Sequence, residues 1–148
     1  MAKKHVFISY CHDNRDEVAA LRADLMAAGE PVWWDEDILP TQDWQTAIRE
    51  AMQDSYAVVL CLSSEAQAWA ESGIYPEALD AIGFYRNYPP GSIFLIPVRL
   101  SECTVPPIEI DAIRTLDRLQ YVDLFPPDQR RGGVQRLVQA LHAASEHP

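Results

Sequence analysis

A three-layer α/β fold is what this chain predicts, on three observations. Two apolar runs, Val6-Phe7-Ile8-Ser9-Tyr10 and Tyr56-Ala57-Val58-Val59-Leu60-Cys61-Leu62, are continuous rather than alternating, as strands buried on both faces are. Stretches with helical spacing separate the strand-like runs, so the chain reads βαβαβαβ(α)βα, the alternation of a parallel sheet covered by helices on both faces. Five strands then fit the flavodoxin-like order 2-1-3-4-5, in which the loops at the carboxyl ends of the strands build the ligand site.

Each element has its own reason. After the first strand comes a polar turn, Cys11-His12-Asp13-Asn14-Arg15-Asp16-Glu17. Residues 14–28 then place Val18, Leu21 and Leu25 on one helical face, and Gly29 stands where a helix ends on a glycine. Pro31-Val32-Trp33-Trp34 reads as a short second strand, leading into the acidic loop Asp35 to Gln42. Asp43 suits the N-cap of a helix whose apolar stripe is Trp44, Ala47, Ile48, Ala51 and Met52, which predicts Trp44 to be core. The third strand, Tyr56 to Leu62, ends in Ser63-Ser64.

The second half is less regular. Glu65 to Trp69 reads as a helical turn interrupted at Ser72-Gly73, and Pro76 suits the first turn of a new helix through about Tyr85. A loop at Asn87-Tyr88-Pro89-Pro90-Gly91 precedes a fourth strand, Ile93 to Val98, with Pro97 placed near its end. A long connection over 99–115 leads to a last strand around Leu119–Val122. Gln129 to Ser145 closes the chain as a helix with Val134, Leu137, Val138 and Leu141 inward.

With 148 residues, 48% of them hydrophobic and 23% charged, the chain reads as one globular domain over 1–148 with a core of about 4–144. A formal charge of -10 argues against direct nucleic-acid binding and against acidic membrane surfaces. Cys11, Cys61 and Cys103 form no CxxC pair, which excludes a thiolate zinc site and a disulfide framework and suits a reducing, cytoplasmic setting. The few apolar residues after Met1-Ala2-Lys3-Lys4-His5 are too short a run for a signal peptide or a membrane span.

Several chemistries find no support. Neither a GxGxxG nor a GxxxxGK[ST] run occurs, so a dinucleotide fingerprint and a P-loop are both missing. Strand ends at Ser9-Tyr10 and Ser63-Ser64 lack the aspartate that a receiver-type phosphoacceptor needs. His5, His12, His142 and His147 make no cluster with metal-ligand spacing, so no metal is expected. What remains is a strand-edge set: Ser9, Tyr10, Trp33, Trp34, Asp35, the loop 36–42, Ser63, Ser64 and Glu71 to Glu77.

Three blocks in order carry a resemblance. HVFISY with its polar turn, PVWWDEDILPTQDWQTAI, and AVVLCLSS resemble the Toll/interleukin-1 receptor (TIR) domain family in its bacterial form. In that family the second block holds the BB loop, usually with Pro-Gly a few residues before a tryptophan. Here Pro40-Thr41-Gln42-Asp43-Trp44 keeps the spacing, with Thr41 in place of the glycine.

Some members of the family cleave NAD+ between nicotinamide and ribose with one glutamate on the helix after the third strand. The resemblance implies Glu77 for that role, within Ile74-Tyr75-Pro76-Glu77-Ala78-Leu79, with Glu71 as the alternative; Gly73 stands where an aromatic is usual. It also implies NAD+ as substrate with no further cofactor, and self-association or pairing with other TIR domains, with a sensor domain fused or separate. Among the edge residues, Tyr10 and Ser9 would meet ribose or phosphate, although Ser9 equally suits a bond to loop backbone. Arg15 would steer the pyrophosphate or stay solvated, and Asp35 would bond ribose hydroxyls or fix the BB loop. Trp33 and Trp34 face opposite sides of the sheet, one of them core and the other, taken as Trp34, available to stack on a ring. Ser63 would bind substrate or form the turn.

Three functions follow from this reading. The first is an NAD+ nucleosidase or cyclising variant, activated by self-association, in bacterial antiphage immunity. The second is a non-enzymatic TIR adaptor that docks through Ile38, Leu39 and Pro40 of the BB loop. The third is a nucleoside deoxyribosyltransferase-like enzyme, disfavoured for want of an acidic base-reading cluster near the C-terminus.

Overall fold

The computed structural model describes residues 4–65, 76–88, 92–105 and 107–146, with backbone alone over 76–80. Five strands, β1 (His5–Ser9), β2 (Val32–Trp33), β3 (Ser55–Leu62), β4 (Leu95–Arg99) and β5 (Val122–Asp123), form one sheet in the order β2-β1-β3-β4-β5. Every pairing is parallel, as the βα alternation requires. Among the described residues four α-helices connect or close the strands: α1 (Arg15–Ala27), α2 (Trp44–Gln53), α3 (Pro76–Tyr85) and α4 (Arg130–Glu146). The expected fold class is the one observed.

Strand side chains divide between two cores. Val6 and Ile8 of β1, with Ala57, Val59 and Cys61 of β3 and Val98 of β4, pack against Val18, Leu21 and Leu25 of α1 and Leu137 and Leu141 of α4. Phe7 of β1, with Val58, Leu60 and Leu62 of β3, turns the other way onto Ile48, Ala51 and Met52 of α2 and Ala81, Ile82 and Tyr85 of α3. Because strand side chains alternate and both faces are covered, all eight residues of β3 are buried.

The helix ends follow local chemistry. Gly29 at φ +90° closes α1, where its N–H donates to Met26 O at 3.0 Å and the Glu30 N–H donates to Leu25 O at 3.0 Å. These are the paired bonds of a Schellman cap, which needs a left-handed residue at this place. Asp43 is the N-cap of α2, but its carboxylate accepts from the Thr46 hydroxyl at 2.6 Å rather than from a backbone N–H.

Four details differ from the sequence reading. Trp44 is 57% exposed, not core. As the first residue of α2 it lies a turn before Ile48, where the helix begins to pack, so its apolar spacing continues the stripe without a surface to meet. The last strand is Val122–Asp123 rather than Leu119–Val122, because Leu116–Arg118 forms a 3-10 turn that delays the approach to β4. The fourth strand begins at Leu95, leaving Ile93 41% exposed before it. Pro97 stands in the middle of β4, in register with Leu60 of β3, while the β5 pairing begins one residue later at Val98. The missing N–H is therefore accommodated by a two-residue neighbour that does not reach it.

Candidate functional site

The site is built where the chain leaves β1, β2 and β3. Tyr10 follows β1 directly, and its hydroxyl donates to Asp35 Oδ1 from the start of the 3-10 turn after β2. His12 Nε2 lies 2.7 Å from the other oxygen, Asp35 Oδ2. The Tyr10 and His12 rings are stacked, with centroids 5.6 Å apart and planes 12° from parallel. Burial, then the bond to Asp35, pushes the Tyr10 hydroxyl far above its ordinary range, so it stays a donor at all physiological pH.

A second contact joins the same two turns. Arg15 Nε, the first residue of α1, meets Glu36 Oε1 at 2.5 Å. That bond is the main reason the Glu36 carboxyl sits below its ordinary range and the guanidinium above its own. Arg15 also lies 5.6 Å from the Trp34 ring centroid, and Arg22 from the next turn of α1 lies 5.3 Å from it. Trp34 is only 7% exposed, within the core cluster under α1, and its backbone N–H donates to Asp37 Oδ2 at 3.1 Å. Trp33 faces the opposite core and stacks on Phe7 at 5.1 Å. The two tryptophans therefore divide across the sheet as expected, but Trp34, taken as the one available to stack on a ring, is the more deeply packed of the pair.

At the end of β3 one polar residue is buried and the next two, Ser64 and Glu65, are exposed. Ser63 is fully buried, and its hydroxyl donates to Asn14 Oδ1 at 2.6 Å. Asn14 Nδ2 reaches towards Glu17 and Glu65, each at 3.5 Å. The Ser64 hydroxyl donates to Glu65 Oε2 at 3.0 Å, and the Ser64 N–H donates to Ser101 Oγ at 3.0 Å. The Glu65 carboxyl is held below its ordinary range by its own backbone N–H and then by the Ser64 hydroxyl. Ser9, at the end of β1, is also buried.

The loop after β2 makes a tight turn. The Gln42 N–H donates to Leu39 O at 3.2 Å, and the Leu39 N–H donates to Gln42 Oε1 at 2.7 Å. Between them come Pro40 and Thr41, the latter at φ +74°. Proline followed by a positive φ is the pattern of a type II turn, whose third position favours glycine. Ile38 packs on the α2-side core, whereas Leu39 is 65% exposed and Pro40 is exposed beside it.

The structure thus brings Tyr10, Arg15, Trp34 and Asp35 into one wall, with Ser9 and Ser63 buried behind it. Pro76–Tyr85 is helical, so Glu77 lies in the first turn of α3 on the connection from β3 to β4. Its side chain and the whole of Glu71 lie outside the described residues. Sequence reasoning missed Asn14, Arg22 and the pairing of His12 with Asp35. All three depend on contacts from residues 12 to 51 positions away, and none has a local pattern. Among the described residues no three His, Cys, Asp or Glu side chains come together to hold a metal ion, and no helix is long and apolar enough to cross a membrane.

Three comparisons bear on identity. A TIR-STING receptor from C. gigas, solved in complex with 2',3'-cGAMP, superposes with a TM-score of 0.73 at 24% identity over 95% of this chain. The chain spans only 40% of that receptor's length. The TIR domain of the Toll-related receptor TRR-2 from Hydra magnipapillata matches with a TM-score of 0.68 at 22% identity, covering 93% of this chain and 97% of that one. A prokaryotic SEFIR domain matches at 0.59 and 16% identity, over 93% of this chain and 97% of its own. These likenesses establish the shared fold. No curated protein matches the chain in sequence. A family model for the TIR domain, however, matches residues 6–138, from the first residue of the buried part of β1 well into α4. By that match the chain belongs to the TIR domain family.

Proposed function

We propose that this TIR domain cleaves NAD+ at the nicotinamide–ribose bond, with Glu77 as the catalytic carboxylate, in assemblies of like domains serving bacterial antiphage defence. The observation that carries the reading is Pro76-Glu77 opening the helix between β3 and β4 in a chain of this family. In the reaction the bond from C1′ to the nicotinamide nitrogen breaks and its electron pair leaves with the now neutral ring. The ribosyl group passes through an oxocarbenium-like state, which one nearby carboxylate stabilises before water, or a group of the same molecule in a cyclising variant, adds at C1′. A neutral leaving group makes a dedicated general acid dispensable. NAD+ is consumed as substrate, and the proposal invokes no cofactor or metal.

The wall described above suits this substrate. Asp35 and Tyr10 offer bonding groups to ribose hydroxyls, Arg15 offers the positive charge a pyrophosphate needs, and Ser9 and Ser63 stiffen the strand ends behind them. Trp34, covered by two guanidinium groups, backs the wall. Nicotinamide release at high domain concentration is the test. Glu77→Gln is expected to reduce turnover by about 10²-fold or more. Full activity in Glu77→Gln with loss in Glu71→Gln would move the role to Glu71. No release from a verified assembly sinks the enzyme.

One observation favours a second reading, an adaptor that pairs with other TIR domains: Leu39 stands 65% exposed on a hydrogen-bonded turn. Partner binding that Leu39→Ser abolishes, without any NAD+ turnover by the unaltered chain, supports the adaptor.

A further inference from the structure

Asp35 is shared between two stacked rings. The Tyr10 hydroxyl occupies one carboxylate oxygen and His12 Nε2 the other, at 2.7 Å, with the rings 12° from parallel. Three residues further on, Arg15 takes Glu36. The turn after β1 therefore holds the turn after β2 by two charge contacts in a row. One of them, Arg15 with Glu36, keeps its charges throughout the physiological range. The other includes an imidazole, which carries a charge only in its protonated form.

We propose that His12 is a positioning residue whose charge sets how firmly the Asp35–Leu39 turn is held against the end of β1. The groups facing it are Tyr10, which follows β1, and Asp35 and Glu36 from the turn after β2, with Arg15 at the start of α1 joined to Glu36. Tyr10 is a constant donor, so the carboxylate of Asp35 has one fixed and one variable partner. A charged imidazole makes a charge-assisted bond to that carboxylate, and a neutral one makes an ordinary bond or none. Low pH thus tightens the turn and high pH loosens it. His12 is 78% exposed, so solvent screening keeps the change modest, about two- to fivefold in the held population. The regulated element is the wall of the proposed cleft and the Leu39 turn, so the inference deepens that reading but does not need catalysis to be tested.

The test is a two-dimensional NMR titration of the whole chain from about pH 5 to 8, without NAD+. The backbone amides of residues 35–39 are expected to shift with the same midpoint as the His12 ring proton. In His12→Gln, which keeps a neutral hydrogen-bonding group, that shared titration vanishes. In Arg15→Gln it persists with larger amplitude, because one of the two contacts has gone. His5→Gln, whose ring bonds Ala51 O at 2.8 Å and lies at the start of β1, leaves it unchanged. Amides 35–39 that titrate alike in His12→Gln, or stay still while the His12 ring titrates, overturn the proposal.

Discussion

Ser63 and Asn14, forty-nine positions apart, share a buried hydrogen bond of 2.6 Å that ties the end of β3 to the turn after β1. Both polar groups lie out of water, so removing one withdraws a bond whose loss nothing in the solvent repairs. Asn14→Ala is expected to cost about 1–3 kcal/mol and Ser63→Ala about 1 kcal/mol in urea unfolding. The double variant should cost less than the sum, because both changes remove the same contact. Strict additivity would mean that the two residues are not coupled.

Gly133 and Gly132 provide an internal contrast. A Cβ on Gly133 would lie 2.2 Å from Asp123 O and 2.9 Å from Leu124 Cδ2, so α4 sits against the end of β5 through a bare backbone. Gly133→Ala must push helix from strand, at about 1–3 kcal/mol. Gly132, in the first turn of α4 with nothing within 4 Å of an added Cβ, should instead gain up to about 0.5 kcal/mol on change to alanine, the better helix former. Thermal unfolding of the two variants reads opposite shifts; equal shifts would refute the close approach.

Thr41 stands at φ +74°, a conformation that strains a β-branched residue. Thr41→Gly is expected to add about 1 kcal/mol of stability, a rise of roughly 2–4 °C in Tm. Thr41→Val should not stabilise, because it keeps the branch. A fall in Tm for Thr41→Gly would show that the loop does not hold this conformation in solution.

Cys61 is fully buried, and burial pushes its thiol up to about 12. An unfolded thiol titrates near about 8.5, so above that pH the unfolded chain loses a proton that the folded chain retains. The folded state binds the extra proton, and stability therefore falls as pH rises, by up to about 1.4 kcal/mol per pH unit from this group. Between about pH 8 and 9.5, where unfolded tyrosines are still mostly protonated, Cys61→Ala should flatten the slope even though it lowers stability overall. An unchanged slope would remove Cys61 as its source.

Much of the fold was legible because its signals are local. Val18, Leu21 and Leu25 repeat at helical spacing and are fully buried, and Gly29 ends α1 at the positive φ its position required. Pro76 opens α3 and Tyr85 closes it, as composition and spacing implied. Trp44 shows the limit of the same signal. Its spacing continues the stripe of α2, but periodicity carries no information about where the neighbouring layer ends, and the side chain stands 57% exposed. The last strand likewise moved from Leu119–Val122 to Val122–Asp123, because Leu119 caps the 3-10 turn at Leu116–Arg118 and pairing with β4 begins only where Val122 comes into register with Val98.

Residue order alone determined the parallel sheet, the strand order and which loops share its working edge. Continuous apolar runs must be buried on both faces, and the rules for βαβ connections leave only a handful of strand orders, among which 2-1-3-4-5 fits five strands. It also marked Tyr10, Arg15 and Asp35 as edge residues. Only the tertiary structure decided their partners. Asp35 divides its two oxygens between Tyr10 and His12, Arg15 turns to Glu36, and Trp34 sinks beneath two arginines. Such pairings join loops far apart in the chain, and they arise when the folded sheet sets those loops side by side.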